Sequence, residues 1–250
     1  MTAPRIALVT GGSRGIGRNA AVNIARRGVG VALTYHSDQT QAAAAVAEIR
    51  SFGGKAVALR LDTGNLASLD PFVAEFRQAL KEHWGSETFD FLVNNAGVGL
   101  NTPIVDATEE NFDLLMNIHL KGVFFLTQKL LSVMADGGRI INVTSGLARS
   151  SEAGYALYAM MKGGVEVFTR YLAYELGARG ITANTVAPGP IATDFGGGAV
   201  RAAADHIGKV TALGRVGLPE DIGPMIASLL SEDNRWVNAQ RIEVTGGMNI

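Results

Sequence analysis

Tyr158 and Lys162 stand four residues apart in a stretch with helical periodicity, so their side chains share one helix face and their head groups can approach each other. A phenol with an ordinary pKa near 10 is a sluggish acid or base at neutral pH, and a neighbouring ammonium favours its ionised form. The pairing therefore predicts a lowered pKa for Tyr158, each unit being worth about 1.4 kcal/mol. Tuned proton transfer of this kind contributes about 10²–10⁴-fold to a rate. Ser145 follows a β-branched apolar run and offers a hydroxyl that can steady an oxygen gaining negative charge. Together these residues suit proton exchange with a polarised oxygen.

A second group is built for a phosphate. Thr10-Gly11-Gly12-Ser13-Arg14-Gly15-Ile16-Gly17 lies between an apolar strand pattern and a helical one, the setting in which glycine spacing acquires a mechanism. Gly11 permits a sharp turn, Gly15 lets backbone N–H groups approach a pyrophosphate, and Gly17 allows close helix packing, while the helix N-terminus presents its positive end. Ser13 and Ile16 lie in the same cradle. NAD-binding folds place a carboxylate at the tip of the second strand, about 20 residues on. Here that tip reads Tyr35-His36-Ser37. A ribose 2′-phosphate meets no carboxylate there, and Arg14, His36 and Ser37 can donate to it. NADP(H) is expected over NAD(H), which stays possible because Asp38 follows closely.

The elements that must position these groups alternate. Strand patterns fall near 5–10, 29–35, 55–61, 89–94, 138–144, 181–187 and 240–245, with helical periodicity over 15–28, 38–53, 66–83, 107–135, 155–179 and 219–231. This alternation predicts an α/β fold, a Rossmann-type doubly wound parallel sheet of seven strands with helices on both faces, in a single domain over 1–250. Thr10, Asp62, Asn94, Ser145 and Pro188 then fall at carboxyl ends of strands, the ligand-binding edge of such sheets. The irregular stretch 188–218, with Gly196-Gly197-Gly198 at its centre, is the expected substrate lid. Helices 107–135 and 155–179 are apolar on more than one face, which predicts a homo-oligomer joined through them.

Composition removes other classes. A net charge of −1 gives no electrostatic reason to bind nucleic acid. The absence of cysteine removes disulfides, thiolate catalysis and Cys-ligated zinc and fits a cytoplasmic protein. No apolar run reaches membrane-spanning length. His119 is expected to be a satisfied core residue, His83 and His206 surface residues, and no histidine–carboxylate spacing suggests a metal site.

With the glycine loop, four further signatures stand in chain order: Asn94-Asn95-Ala96-Gly97, Asn117, Ser145, and Tyr158 with Lys162. Together they resemble the short-chain dehydrogenase/reductase family over the whole chain, to Val244-Thr245-Gly246-Gly247. The resemblance implies an NADPH-dependent reduction of a ketone or 3-oxoacyl carbonyl, with Tyr158 as general acid, Ser145 on the carbonyl oxygen and Lys162 on the nicotinamide ribose. It implies that Asn117 holds a water linked to Lys162, that Asn95, Ala96 and Gly97 line the adenosine side, and that Asp62 touches the adenine. It also implies that Pro188, Gly189, Ile191 and Thr193 cover the nicotinamide, and that the oligomer is a tetramer. The nearest general shape is that of 3-oxoacyl-[acyl-carrier-protein] reductases. Asp136 stands where those enzymes present a basic residue to their carrier, with Arg179 at a second position, and Met160 and Met161 replace the usual small residues between Tyr158 and Lys162. An NAD-linked alcohol or sugar dehydrogenase and a non-catalytic cofactor-binding sensor or scaffold are the alternatives.

Overall fold

A computed structural model describes residues 5–248; the outermost residues of the expected 1–250 domain, 1–4 and 249–250, lie outside the described residues. The strands are β1 Ile6–Val9, β2 Gly30–Tyr35, β3 Ala56–Arg60, β4 Phe89–Asn94, β5 Met134–Val143, β6 Thr182–Pro188 and β7 Arg241–Val244. They form one parallel sheet in the order β3-β2-β1-β4-β5-β6-β7. Each strand falls where the sequence predicted one. Strand order reverses between β1 and β4, which opens a crevice at the carboxyl edge where the loops after those strands part in opposite directions.

The helices are α1 Gly15–Ala25, α2 Gln39–Ser51, α3 Leu69–Trp84, α4 Glu109–Met116, α5 Gly122–Leu130, α6 Ala156–Glu175, α7 Ala199–Ala202, α8 Ala204–Lys209 and α9 Pro219–Leu229. They cover both sheet faces. On one, Ala21 and Ile24 of α1, Ile49 of α2 and Ile226 of α9 pack on Val9, Leu33 and Val93. On the other, Phe72 and Phe76 of α3, Leu126 of α5 and Leu172 of α6 pack on Leu8, Leu92 and Ile140. Small residues set the closest approach: a Cβ on Gly223 of α9 would overlap Asn19 of α1.

Two sequence expectations need correction. The helix expected over 107–135 is broken: α4 passes at Asn117–Lys121 into a turn of π-helix before α5 resumes. A Cβ on Gly122 would overlap the Thr63 carbonyl, so glycine is what allows this kinked segment to lie against the loop after β3. The strand expected to begin at 138 begins at Met134, with three extra residues against β4 between the pairs Phe89–Met134 and Phe91–Arg139 and with Gly137 at φ 73°; extra residues in one strand of a pair disrupt the ladder locally. The irregular stretch 188–218 contains α7 and α8, preceded by three consecutive glycines with positive φ. Pro224 sits inside α9 without dividing it.

Candidate active site

The carboxyl edge of the sheet opens into one cavity of about 1580 Å³, larger than the roughly 300–1,000 Å³ of drug-sized sites. At one end lies the glycine loop. Gly11 (φ 63°) and Gly15 (φ 56°) occupy the left-handed region that glycine alone adopts at little cost. A Cβ on Gly17 would overlap the Gly11 carbonyl and the Asn95 amide, so the close packing expected of Gly17 is against the turn itself. No side chain caps α1, which leaves its first-turn N–H groups facing the cavity beside Ser13, Arg14 and Ile16.

Tyr35, His36 and Ser37 line the next wall. Asp38 is spent as the cap of α2, its carboxylate accepting from Gln41 N–H at 3.0 Å. His36 Nε2 lies 3.6 Å from Asp62, whose other oxygen accepts from Gly64 N–H at 2.9 Å. Asn95, Ala96 and Gly97 also border the cavity, but the Asn95 amide donates to the carbonyls of Thr10 (2.9 Å) and Gly11 (3.2 Å). Its side chain joins β4 to the glycine loop. These features fit a dinucleotide with a 2′-phosphate: positive-φ glycines, a free helix N-terminus, Arg14 exposed at the loop, and a β2 tip without a carboxylate.

At the other end, Ser145, Tyr158 and Lys162 converge, and all three are buried. Ser145 follows β5 and accepts from Leu147 N–H at 3.2 Å; Arg241, from β7, donates to the Ser145 carbonyl at 3.1 Å and pairs with Glu166 and Glu243. Tyr158 and Lys162 lie on the first turns of α6, with Lys162 Nζ 5.6 Å from the Tyr158 ring centre. Lys162 Nζ donates to the Val143 carbonyl at 2.8 Å. Thus the end of β5 carries Ser145 and, through the Val143 carbonyl, holds the Lys162 ammonium, while α6 carries both Tyr158 and Lys162.

The electrostatics correct one expectation. The Tyr158 phenol is raised above its ordinary value, not lowered: burial dominates, and a hydrogen bond with Ser145 opposes it only in part. Lys162 is lowered to about 8 by its own burial. Desolvation penalises the charged form of both groups and is the largest cause of each shift. Tyr158 is held as a neutral acid at neutral pH, which suits a proton donor.

Asn117 does not border the cavity; two residues on, His119 does. His119 is fully buried, its ring edge-to-face with Tyr158 at 5.1 Å and 87°, and its Nδ1 has no hydrogen-bond partner among the described residues. The expectation of a satisfied core histidine is therefore half right. The apolar run around it hid this placement, because the π-turn alters which residues of 117–121 face inward. Met160 is exposed and Met161 buried in the core beside Leu115, and neither borders the cavity.

The remaining wall comes from the stretch after β6. Pro188, Gly189, Ile191 and Thr193 line it, and Thr193 packs on the glycine loop, where a Cβ on Gly15 would meet Thr193 at 3.4 Å. Phe195 reaches over the site, its ring 5.9 Å from that of Tyr158, and Gly196 lies against Gly99. Away from the cavity, Arg179 is engaged by Asp136 at 2.7 Å and by the carbonyls of Leu131 and Met134. No group of histidines and acidic residues among the described residues could hold a metal, and no described helix is long and apolar enough to cross a membrane.

A family model described as enoyl-(acyl carrier protein) reductase matches residues 11–249. Among curated proteins, the hydroxynaphthalene reductase-like protein Arp2 of Metarhizium majus is 37% identical, over 98% of this chain and 95% of its own. Among solved structures, the promiscuous reductase LugOII, which catalyses keto-reduction at C1 during lugdunomycin biosynthesis, superposes with a TM-score of 0.94 at 35% identity, with both chains covered fully. The landomycin C-6 ketoreductase LanV, solved with bound NADP and rabelomycin, gives a TM-score of 0.90 at 38% identity, over 97% of this chain and 95% of its own.

Proposed function

The chain belongs to the short-chain dehydrogenase/reductase family and is an NADPH-dependent oxidoreductase that reduces a carbonyl group; from that premise we propose that it is a ketoreductase of flat, polycyclic aromatic ketones, with Tyr158 as proton donor. The observation that carries the reading is the buried convergence of Ser145, Tyr158 and Lys162 at the end of the cavity opposite the glycine loop. When bound, NADPH supplies a hydride to the carbonyl carbon. Ser145 donates a hydrogen bond to the carbonyl oxygen, and Tyr158 delivers its proton there as negative charge develops. Lys162, held by Val143, keeps a positive charge beside the phenol and offsets the charge Tyr158 acquires. Arg14, His36 and Ser37 hold the 2′-phosphate. Asp62 flanks the adenine, while Pro188, Gly189, Ile191 and Thr193 form the wall over the nicotinamide.

The substrate class is read from the walls beside Tyr158. Leu100, Leu147, Tyr155 and Phe195 give an apolar enclosure, and stacking on Phe195 suits a planar ring system. LanV is a ketoreductase solved with bound rabelomycin. A carrier-bound 3-oxoacyl chain is disfavoured, because the only basic residue expected at its docking position, Arg179, is already paired with Asp136. The stretch 188–218 acts as the lid. Leu114, Phe124, Val167 and Tyr171 are exposed on α4, α5 and α6, and pairing of these faces makes the homo-oligomer.

The test is a panel of bicyclic and tetracyclic aromatic ketones, simple ketones and 3-oxoacyl thioesters, each assayed with NADPH and NADH. The proposal expects the highest kcat/KM for the polycyclic ketones with NADPH. Faster turnover of a 3-oxoacyl thioester would overturn the substrate assignment.

A further inference from the structure

Arg241 is a buried charge that proton transfer through Ser145, Tyr158 and Lys162 does not use. It stands on β7, the last strand of the sheet, where successive side chains alternate between the two faces. Ile242 and Val244 pack into the core beneath α1 and α9, so Arg241 and Glu243 point to the opposite face, on which α6 packs. The Arg241 side chain is only 8% exposed, and each guanidinium nitrogen has its own acceptor. Nε donates to Glu166 on α6 at 2.6 Å, Nη1 to Glu243 of its own strand, and Nη2 to the Ser145 carbonyl oxygen at 3.1 Å. Glu166 stands one helical turn beyond Lys162 and two beyond Tyr158. Glu243 has a second cation, Arg149, at 3.7 Å.

Ser145 lies where the sheet no longer holds the chain. The β5–β6 register ends at Val143, and the last tie to β6 is the Thr144 N–H on the Val186 carbonyl. Ser145 then heads a single 3-10 turn, its hydroxyl accepting from Leu147 N–H at 3.2 Å and its carbonyl from Ala148 N–H at 3.1 Å. Both of those bonds lie within the turn, whereas Arg241 ties the same carbonyl to a strand and a helix outside it. A desolvated ion pair adds little net stability over apolar groups of the same volume, but the planar fork of a guanidinium fixes the direction of each acceptor it binds. We propose that Arg241 is a positioning residue for carbonyl reduction: it ties the Ser145 carbonyl to Glu166 on the helix that carries Tyr158 and Lys162, and so sets the Ser145 hydroxyl where it and the Tyr158 phenol meet one substrate oxygen. The inference rests on the reading of Ser145 and Tyr158 as partners on that oxygen. Arg241 does not border the cavity, so its contribution is orientation alone. A misplacement of about 1 Å in a group that contacts the reacting atoms costs about 100-fold in rate.

Arg241→Lys keeps a positive charge beside Glu166 but loses the fork, and one ammonium cannot serve acceptors on α6, on β7 and at Ser145 together. The variant should lower kcat for ketone reduction about 10- to 100-fold, with the Kd for NADPH within about twofold of the parent. The decisive measurement is a double-mutant cycle on kcat with Ser145→Ala. An arginine that acts through Ser145 has nothing left to position once the hydroxyl is gone, so in the Ser145→Ala background Arg241→Lys should change kcat by less than about twofold. A merely structural loss carries the same factor into both backgrounds, and that result would overturn the proposal, as would an Arg241→Lys variant with kcat within about twofold of the parent. Should Arg241→Lys not fold, Arg241→Met combined with Glu166→Leu takes its place in the cycle with the same two outcomes, because removing both buried charges together is tolerated better than removing one. Ser145→Ala by itself separates the two readings. Reduction at the parent rate in that variant would defeat the role of Ser145 and the clamp with it, whereas an impaired Ser145→Ala beside a fully active Arg241→Lys defeats only the inference about Arg241.

Discussion

Replacing Lys162 with methionine isolates the cost of burying its ammonium. Methionine keeps an unbranched, flexible side chain and cannot ionise. In the fold Lys162 titrates at about 8, against 10.5 for a free lysine. Because the folded value is the lower one, the unfolded chain binds a proton between those two pH values that the folded chain has released. Stability linked to this group therefore rises with pH through that window. The penalty at pH 7 is about 3 kcal/mol, and at pH 9.5 about 1 kcal/mol remains, so the parent should gain about 2 kcal/mol on the variant between those pH values. Losing the donor to the Val143 carbonyl costs about 1–3 kcal/mol at every pH and moves the offset, not the slope. Keeping below pH 10 avoids the opposing effect of Tyr158, whose raised value lowers stability once the unfolded phenol ionises. Urea unfolding of both proteins without cofactor, at fixed protein concentration and several pH values, gives the difference. A gap that stays constant within about 0.5 kcal/mol across the range would refute the account of a desolvated ammonium.

Other outcomes follow from the same geometry. Arg14→Glu should raise the Kd for NADPH by at least about 10-fold, as expected for losing a charge-assisted contact and gaining a repulsion, and affect NADH much less; equal effects on both cofactors, measured by fluorescence titration, would remove Arg14 from the 2′-phosphate. Gly17→Ala should abolish NADPH binding, since the new Cβ overlaps the Gly11 carbonyl, and calorimetry showing undiminished affinity would contradict the loop geometry. Asn94→Ala leaves the buried amide and hydroxyl of Asn142 and Thr127 short of a partner and should cost about 1–3 kcal/mol in denaturant unfolding. Ketone reduction should decline as pH rises through about 8, where Lys162 loses its charge; a pH–rate profile flat to pH 10 would separate that charge from catalysis.

The parts of the fold that repeat were legible in the sequence. Each apolar β-branched run bounded by turn residues became a strand, and the helical segments between them filled both faces, because burial on a parallel sheet leaves an unbroken signature in Val9, Leu33, Val93 and Ile141 alike. The glycine loop was readable because Gly11 and Gly15 need a backbone conformation that other residues resist. What escaped depended on distance across the fold. A π-turn changes no hydrophobic period strongly enough to be seen, so the place of His119 on the cavity and of Asn117 off it was hidden in one apolar run. The bulge at Asp136-Gly137 likewise concealed the start of β5. The direction of the Tyr158 shift could not be read from a four-residue spacing, because it is set by how much protein surrounds the phenol.

The central claim is that the Tyr158 hydroxyl supplies the proton, and Tyr158→Phe removes that oxygen while leaving the ring edge against His119 and Phe195. Stopped-flow measurement of NADPH oxidation in a single turnover, with enzyme in excess over a polycyclic ketone, reads the reduction step free of product release. The account expects the variant to bind NADPH as the parent does and to reduce the ketone about 10²–10⁴-fold more slowly; reduction at the parent rate would contradict it.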